Sequence, residues 1–538
     1  MIALAEQAEV PVMSPVEPLP APSPPGPSRA TRRAWIGLAV LALPCLLYAM
    51  DLTVLNLALP RLSEDLRPSS AKLLWIVDIY GFFVAAMLVT MGNLGDRIGR
   101  RRLLLIGAAA FGAASVLAAF SRSAGMLIAA RAVLGVAGAT LAPSTLSLIR
   151  NMFLDPRQRR TAIGVWISSY SVGGAMGPLL GGVLLQHLPW GSVFLLAVPV
   201  MALLLLVGPV LLPEYRDPQA GSLDLGGALL SLLSVLLAVY GLKELAQDGW
   251  GWLPALSMAG GLTLGALFVR RQRRVAAPLI DLRLFRAPAF SASLVTYMLA
   301  TLVSFGSYVM IGQYLQLVLG LTPLAAGLWT LPWSAGFIAG SMLAPPLTRW
   351  MRPAFLMAGG LVLAGLGFAV TASVPSSGLA GLTAGTLLMS LGLAPVITVG
   401  TDLVVGAAPP ARAGAAAAIS ETSSELGGAL GIAILGSIGT AIYRGRVASA
   451  ALGDLPAAAR HAARDTLGGA MAAAAQLPGD LGLRLAAVAR QAFSAALQVT
   501  VMICALVCVL AAALVMIALR GAPGAGESPG PDGTVGEP

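Results

Sequence analysis

Two carboxylates, Glu421 and Glu425, stand four residues apart in AAAAISETSSELGGALG, residues 415–431. On a helix that spacing puts both on one face. Their neighbours are small and apolar, and the run they sit in is long enough to span a bilayer, where each acid is expensive. Like charges this close cannot both ionise cheaply, so such a pair can hold a proton and release it when a cation arrives. More polar groups lie inside apolar runs. YAMDLTVLNLALP, residues 48–60, carries Asp51 and Asn56, and LWIVDIYGFF, residues 74–83, carries Asp78. Asp78 lies near the end of its run, where an interfacial role would explain it equally well. RAVLGVAGA, residues 131–139, begins with Arg131. An arginine at that depth costs several kcal/mol unless paired or wetted, so it should meet a carboxylate or a water-filled cavity.

The elements that must position these groups are membrane helices. The chain has 538 residues, 57% hydrophobic and 11% charged, with a mean hydropathy of +0.83. A soluble domain carries about 25% charged residues. Apolar runs near the roughly 20 residues that cross a bilayer recur throughout. We place fourteen spans, at 35–60, 72–94, 103–121, 124–148, 160–184, 191–212, 222–244, 252–270, 289–315, 322–346, 353–372, 377–402, 411–440 and 491–519. The expected fold is an all-α integral membrane protein. A β-barrel would show short alternating segments instead.

The net charge of +10 does not point to nucleic acid, because the basic residues fall in clusters between spans. Arg100-Arg101-Arg102, Arg159-Arg160 and Arg270-Arg271-Gln272-Arg273-Arg274 form one such set. That is the signature of inner loops, and solvated loop arginines would look the same. The short loops on the other side hold only Arg61, Arg67, Lys72, Arg122 and Lys243. This bias puts both termini in the cytoplasm. Residues 1–34 and 521–538 read as disordered tails, the first lacking the basic start and apolar core of a signal peptide. Between them we expect a six-helix bundle at 35–212, two additional helices with linkers at 213–288, and a second six-helix bundle at 289–520. The long outer loop at about 441–490 is expected to form a hairpin of two short amphipathic helices.

Two further motifs bear on movement. GNLGDRIGRRRLL, residues 92–104, sets Gly92, Gly95 and Gly99 among Asp96, Arg97, Arg100, Arg101 and Arg102. The glycines permit a tight turn and close helix approach, and the charges could lock the inner side in one conformation. GSMLAPPLTRWMRPA, residues 340–354, sits at the matching place in the second half, and duplicated halves mark transporters. YSVGGAMGPLLGG, residues 170–182, spaces Gly173, Gly177 and Gly181 along one helix face beside Gly182 and Pro178. A helix can approach closely there, and the proline should bend the span.

Several functions are excluded or disfavoured. The two lysines, Lys72 and Lys243, are not followed by Ser or Thr, so no phosphate-binding GxxxxGK[ST] loop exists and ATP is not the drive. Neither HExxH nor GxSxG occurs, which argues against an embedded enzyme. A large soluble module for a sensor or scaffold is also missing. Cys45, Cys504 and Cys508 lie inside spans with no zinc spacing, and His187 and His461 stand alone. We assign no metal and no cofactor.

Taken together, these motifs resemble the fourteen-helix drug:proton antiporters of the major facilitator superfamily, in the QacA and SmvA group of antiseptic exporters. The resemblance runs from about residue 35 to 520. MDxTxxNxALP matches Met50 to Pro60, GxLxDRxGRR matches Gly92 to Arg101, RxxxGxxGA matches Arg131 to Ala139, and GxxxGPxxGG matches Gly173 to Gly182. WIVDIY at 75–80 and DLRLF at 281–285 are closer to this group alone. The resemblance implies two six-helix bundles plus two extra helices. It also implies proton and cation binding at Asp51, Asp78, Glu421 and Glu425, with Arg131 aiding proton movement. Ser420 and Phe337 stand where some relatives carry acids, so this chain offers a cation fewer carboxylates.

The expected activity is proton-driven export of lipophilic, mainly cationic drugs by alternating access, from a monomer in the bacterial inner membrane. The alternative is a dedicated exporter of one antibiotic or metabolite. Trp166, Tyr170, Tyr308, Trp329 and Trp333 are candidates for cation–π contact.

Overall fold

The computed structural model describes residues 30–66, 70–216, 224–248, 250–275, 278–280, 282–408, 413–450 and 454–519. Residues 1–29 of the first predicted tail, all of the second, and Asp281 of DLRLF lie outside them, while Arg32 to Ala34 of the first tail begin the first helix. Also outside the described residues are the side chains of Asn56, Asp78 and Pro178 and the burial of Gly182. Among the described residues there is no strand.

The helices are α1 Arg32–Leu66, α2 Ser70–Ile98, α3 Arg100–Ala119, α4 Ala124–Met152, α5 Pro156–His187, α6 Ser192–Leu195 and α7 Ala197–Leu211. They continue with α8 Leu225–Asp248, α9 Trp252–Gln272, α10 Pro288–Gln313, α11 Pro323–Leu347, α12 Pro353–Ala372 and α13 Val374–Ala407. The last are α14 Ala413–Ser449, α15 Ala457–Asp465, α16 Leu467–Gln476 and α17 Asp480–Ala518. Each predicted span falls on a helix, and the one at 191–212 is divided between α6 and α7. Eleven helices of the described residues are long and apolar enough to cross a membrane. α5, α8 and α11 are 32, 24 and 25 residues long but fall outside that set. α5 opens on arginines and is rich in Gly and Ser.

The local signals are readable. Asp155 caps α5, accepting from the N–H groups of Arg157 and Gln158, with Pro156 at the first helical position. Ser123 caps α4 and Thr322 caps α11 in the same way. Inside α13, Gly378 adopts φ +63°, so the helix bends near its start where a residue with Cβ would be strained.

The segment expected as one long loop is largely helical. Residues 441–490 are not mostly loop, because α14 runs on to Ser449 and α17 begins at Asp480. Alanine-rich sequence has the highest helix propensity, and it carries both helices beyond the apolar runs. The two short helices, α15 and α16, do form between them and pack together. Tyr443 anchors them, its hydroxyl donating to the Ala463 carbonyl at 2.9 Å.

α1 packs on α5, α2 on α4, and α3 on α4 and α7. α10 packs on α14, while α13 lies against α11 and α12, and α12 against α17. α5 also meets α11 and α13, and α14 meets α2 and α4. α8 and α9 pair with each other, and α8 touches both α2 and α14. At the α1–α5 contact a Cβ on Gly173 would collide with the Leu46 carbonyl. Gly173→Val should therefore lower stability by about 1–3 kcal/mol or more through overpacking. A thermal-shift measurement in detergent that found Tm unchanged would contradict this contact.

Candidate functional site

Five helices bring the interior charges together. Arg131 of α4 is 1% exposed, a position that demands compensation. Its Nη1 donates to Asp51 Oδ2 at 2.7 Å, and its Nε donates to the Ile76 carbonyl of α2 at 3.0 Å. The Tyr80 ring lies 4.8 Å from the guanidinium carbon, a cation–π distance. Asp51 is thus held by a fixed cation.

Tyr48 precedes Asp51 by three residues on α1, so both face the same way. Its hydroxyl donates to Glu425 Oε1 of α14 at 2.6 Å, and its ring lies 5.8 Å from Tyr80 and 5.9 Å from Tyr170. Tyr170 packs edge-on against Trp166 at 5.0 Å. Trp166 is fixed in turn by its Nε1–H bond to Thr145 Oγ1, 3.0 Å long. Glu421, one turn before Glu425, is 8% exposed. Its Oε1 is buried with no hydrogen-bond partner among the described residues. Cys45, Tyr48, Tyr170 and Tyr297 lie within its electrostatic reach.

The arrangement is a carboxylate in an apolar, ring-lined interior beside a second acid whose one oxygen is taken. A cation brought against it would gain both Coulombic and cation–π attraction. Of the aromatic candidates, Trp166 and Tyr170 join this site. Tyr308 and Trp333 form a separate edge pair, 6.0 Å apart, and Trp329 is exposed. Tyr48 and Tyr80 were not singled out in the sequence. Their positions one turn before Asp51 and two residues after Asp78 were the available signal.

At the arginine-rich end, Asp96 contacts Arg100. Arg100 is fully buried and donates through Nη1 to the Gly92 carbonyl at 2.6 Å. Asp96 Oδ2 also accepts from the backbone N–H of Ala415 at the start of α14, at 3.2 Å, where the helix dipole favours an anion. Arg97 bonds Asn93 at 2.8 Å, and Arg101 donates to the Pro209 and Leu212 carbonyls. Gly99 has φ +110°, a conformation in which a residue with Cβ would be strained, and the Glu214 carboxylate lies beside it. Gly177 and Gly181 are buried in α5.

The loop-arginine reading is corrected for Arg100, Arg159 and Arg160, which are buried rather than solvated. Arg159 and Arg160 of α5 grip Asp402 of α13, from Nε to Oδ1 at 2.5 Å and from Nε to Oδ2 at 2.9 Å. Asp402 is 1% exposed. It escaped the sequence reading because it closes a predicted span, and its partners lie more than two hundred residues away.

Deeper in, the hydroxyls of Ser168 and Ser341 touch across α5 and α11 at 2.7 Å. Cysteines at both positions should cross-link on oxidation and stop transport, with reductant restoring it. Full cross-linking with transport intact would show that this seam does not open. The native cysteines are buried.

Long apolar helices around a paired-charge interior, with ion pairs tying one set of helices to another, define a multi-pass membrane transporter. The Major Facilitator Superfamily model matches residues 41–432, and the chain belongs to that family. It is 46% identical over 501 residues to the multidrug efflux pump LfrA of Mycolicibacterium smegmatis, covering 92% of this chain and 98% of that one. It is 35% identical to the methyl viologen resistance protein SmvA of Salmonella typhimurium, covering 86% and 93%. It is 31% identical to the tetracenomycin C resistance and export protein of Streptomyces glaucescens, covering 91% and 93%. The human organic anion transporter MFSD10 shares the fold with a TM-score of 0.60 at 17% identity, over 92% of this chain and all of that one.

Proposed function

We propose that this chain is a multidrug exporter that exchanges lipophilic, mainly cationic compounds for protons. The Glu421 carboxylate, with its Oε1 buried and unpartnered among the described residues one turn from Glu425 and within electrostatic reach of Tyr48 and Tyr170, carries this reading. Protonated, Glu421 offers a cation no counter-charge. A cation that binds against it displaces the proton, so each conformer carries one or the other. Asp51 is neutralised by Arg131 in this state, and protonation of Asp51 would free Arg131. We assign Asp51 and Arg131 to proton movement, and Glu421 with Glu425 to exchange. Asp78 stays a candidate for the same task.

Alternating access follows if the Asp96 and Asp402 clusters hold one side shut while the other opens. We place that side in the cytoplasm, with both termini, from the arginine distribution. Two six-helix bundles with α8 and α9 as an insertion, fourteen crossings in the bacterial inner membrane and a monomeric state complete the proposal. Similarity to the tetracenomycin C exporter supports a second reading, a pump dedicated to one antibiotic.

The test uses purified protein in proteoliposomes with an imposed proton gradient. Ethidium and a quaternary ammonium compound should both be moved, and an uncoupler should stop them. Transport that ignores the gradient would defeat proton exchange, and transport of neither cation would favour the dedicated pump.

A further inference from the structure

A cavity of about 1120 Å³ lies between α2, α8, α9 and α14, lined by neither Glu421 nor Glu425. It exceeds the roughly 300–1,000 Å³ usual for drug-sized ligands. Its walls are apolar, with Ala85 of α2, Ala238 of α8, Leu262 of α9, and Leu426 and Leu430 of α14. Leu262 and Val269 on the α9 wall are exposed, so the crevice opens sideways, where hydrocarbon would surround the protein.

One end of it is rimmed by Arg270, Arg273 and Arg274, and no acid lines it among the described residues. These three arginines are exposed and have no ion pair among the described residues. Arg271 between them is committed to Asp224, with Nη2 2.8 Å from Oδ1. Asp224 also accepts from the Gly227 N–H at 2.9 Å and from Gln272 Nε2 at 3.1 Å. The rim lies at the arginine-rich end of the molecule, since Asn93 Nδ2 donates to the Leu279 carbonyl at 3.3 Å just beyond α9.

A lipophilic cation would be repelled by this rim. An amphiphile with an apolar tail and an anionic head fits both parts, and basic pockets between membrane helices favour anionic headgroups. We propose that the crevice is a binding site for one anionic phospholipid of the leaflet facing the Arg270–Arg274 side. The acyl chains lie between α9 and α14, and the phosphate sits on Arg270, Arg273 and Arg274. The buried Thr422 hydroxyl, unpartnered among the described residues, lines the same cavity. Because α8 touches both α2 and α14, the lipid would fill a seam beside the helix that carries Glu421.

Native mass spectrometry of the full chain, offered equal dioleoylphosphatidylglycerol and dioleoylphosphatidylcholine, tests this. One phosphatidylglycerol should be retained with at least about tenfold preference. The triple variant Arg270→Gln/Arg273→Gln/Arg274→Gln should lose that preference. Ala266→Trp, which fills the crevice and leaves the arginines, should lose the bound lipid. Arg349→Gln, remote from the crevice, should keep both. Equal retention of the two lipids by the unmodified protein overturns the proposal. So does phosphatidylglycerol retained by Ala266→Trp, since surface charge alone would then explain it.

Discussion

Glu421→Gln is expected to abolish proton-driven export of ethidium in proteoliposomes while leaving the protein at least as stable. Glu421 is buried and its Oε1 has no hydrogen-bond partner among the described residues, so its ionised form costs desolvation that this oxygen does not recover. Glutamine keeps the volume and removes that cost, and Tm should hold or rise. The bound cation loses its counter-charge. At about 4 Å and an effective dielectric of about 20, that attraction is about 4 kcal/mol, or roughly a thousandfold in affinity. Glu425→Gln should weaken transport less, because Tyr48 already occupies one Glu425 oxygen. Equal, undiminished export by Glu421→Gln would remove Glu421 from the mechanism. A lowered Tm would mean that the carboxylate has a structural partner.

The second large effect is expected at Asp402→Asn. Two guanidinium groups, Arg159 and Arg160, are nearly buried and share this one carboxylate. Breaking a buried pair by removing one partner costs about 3–5 kcal/mol, because the remaining charges are uncompensated. Opening the α5–α13 seam to water relieves that cost. The variant should therefore shift toward the state open on this side by roughly a hundredfold or more. Maleimide labelling of Ser168→Cys, in a background lacking Cys45, Cys504 and Cys508, measures the opening. Ser168 is buried in the closed arrangement, so its labelling rate should rise strongly with Asp402→Asn. Arg159→Gln should change it less, because Arg160 still holds Asp402. An unchanged labelling rate together with an unchanged Tm would show that Asp402 does not lock this seam.

The helices were legible because their code is local. An apolar run of bilayer length has one stable answer in lipid, a helix that satisfies its own backbone. The ends were less legible: Asp155 caps α5 at Pro156, four residues before the predicted span begins. The small-residue face of α5 and the turn at Gly99 were also local, since both depend on what a missing Cβ permits. The pair Glu421 and Glu425 was readable from helical spacing alone.

What the residues do to one another was not local. Arg131 meets Asp51 from 80 positions away, Tyr48 meets Glu425 across 377, and Arg159 meets Asp402 across 243. Sequence supplied the need for a partner, because a buried charge without one is too costly to persist. It did not supply which partner, since that depends on how α1, α4, α5, α13 and α14 pack and rotate. The tertiary structure therefore decided that Asp51 is compensated and that Glu421 keeps a bare buried oxygen. It also turned Arg159 and Arg160 from loop charges into a clasp on Asp402. The chain alone determined that carboxylates would be held in a helical membrane interior. Packing determined which of them is left available to a cation, because only packing sets the distance between charges on different helices.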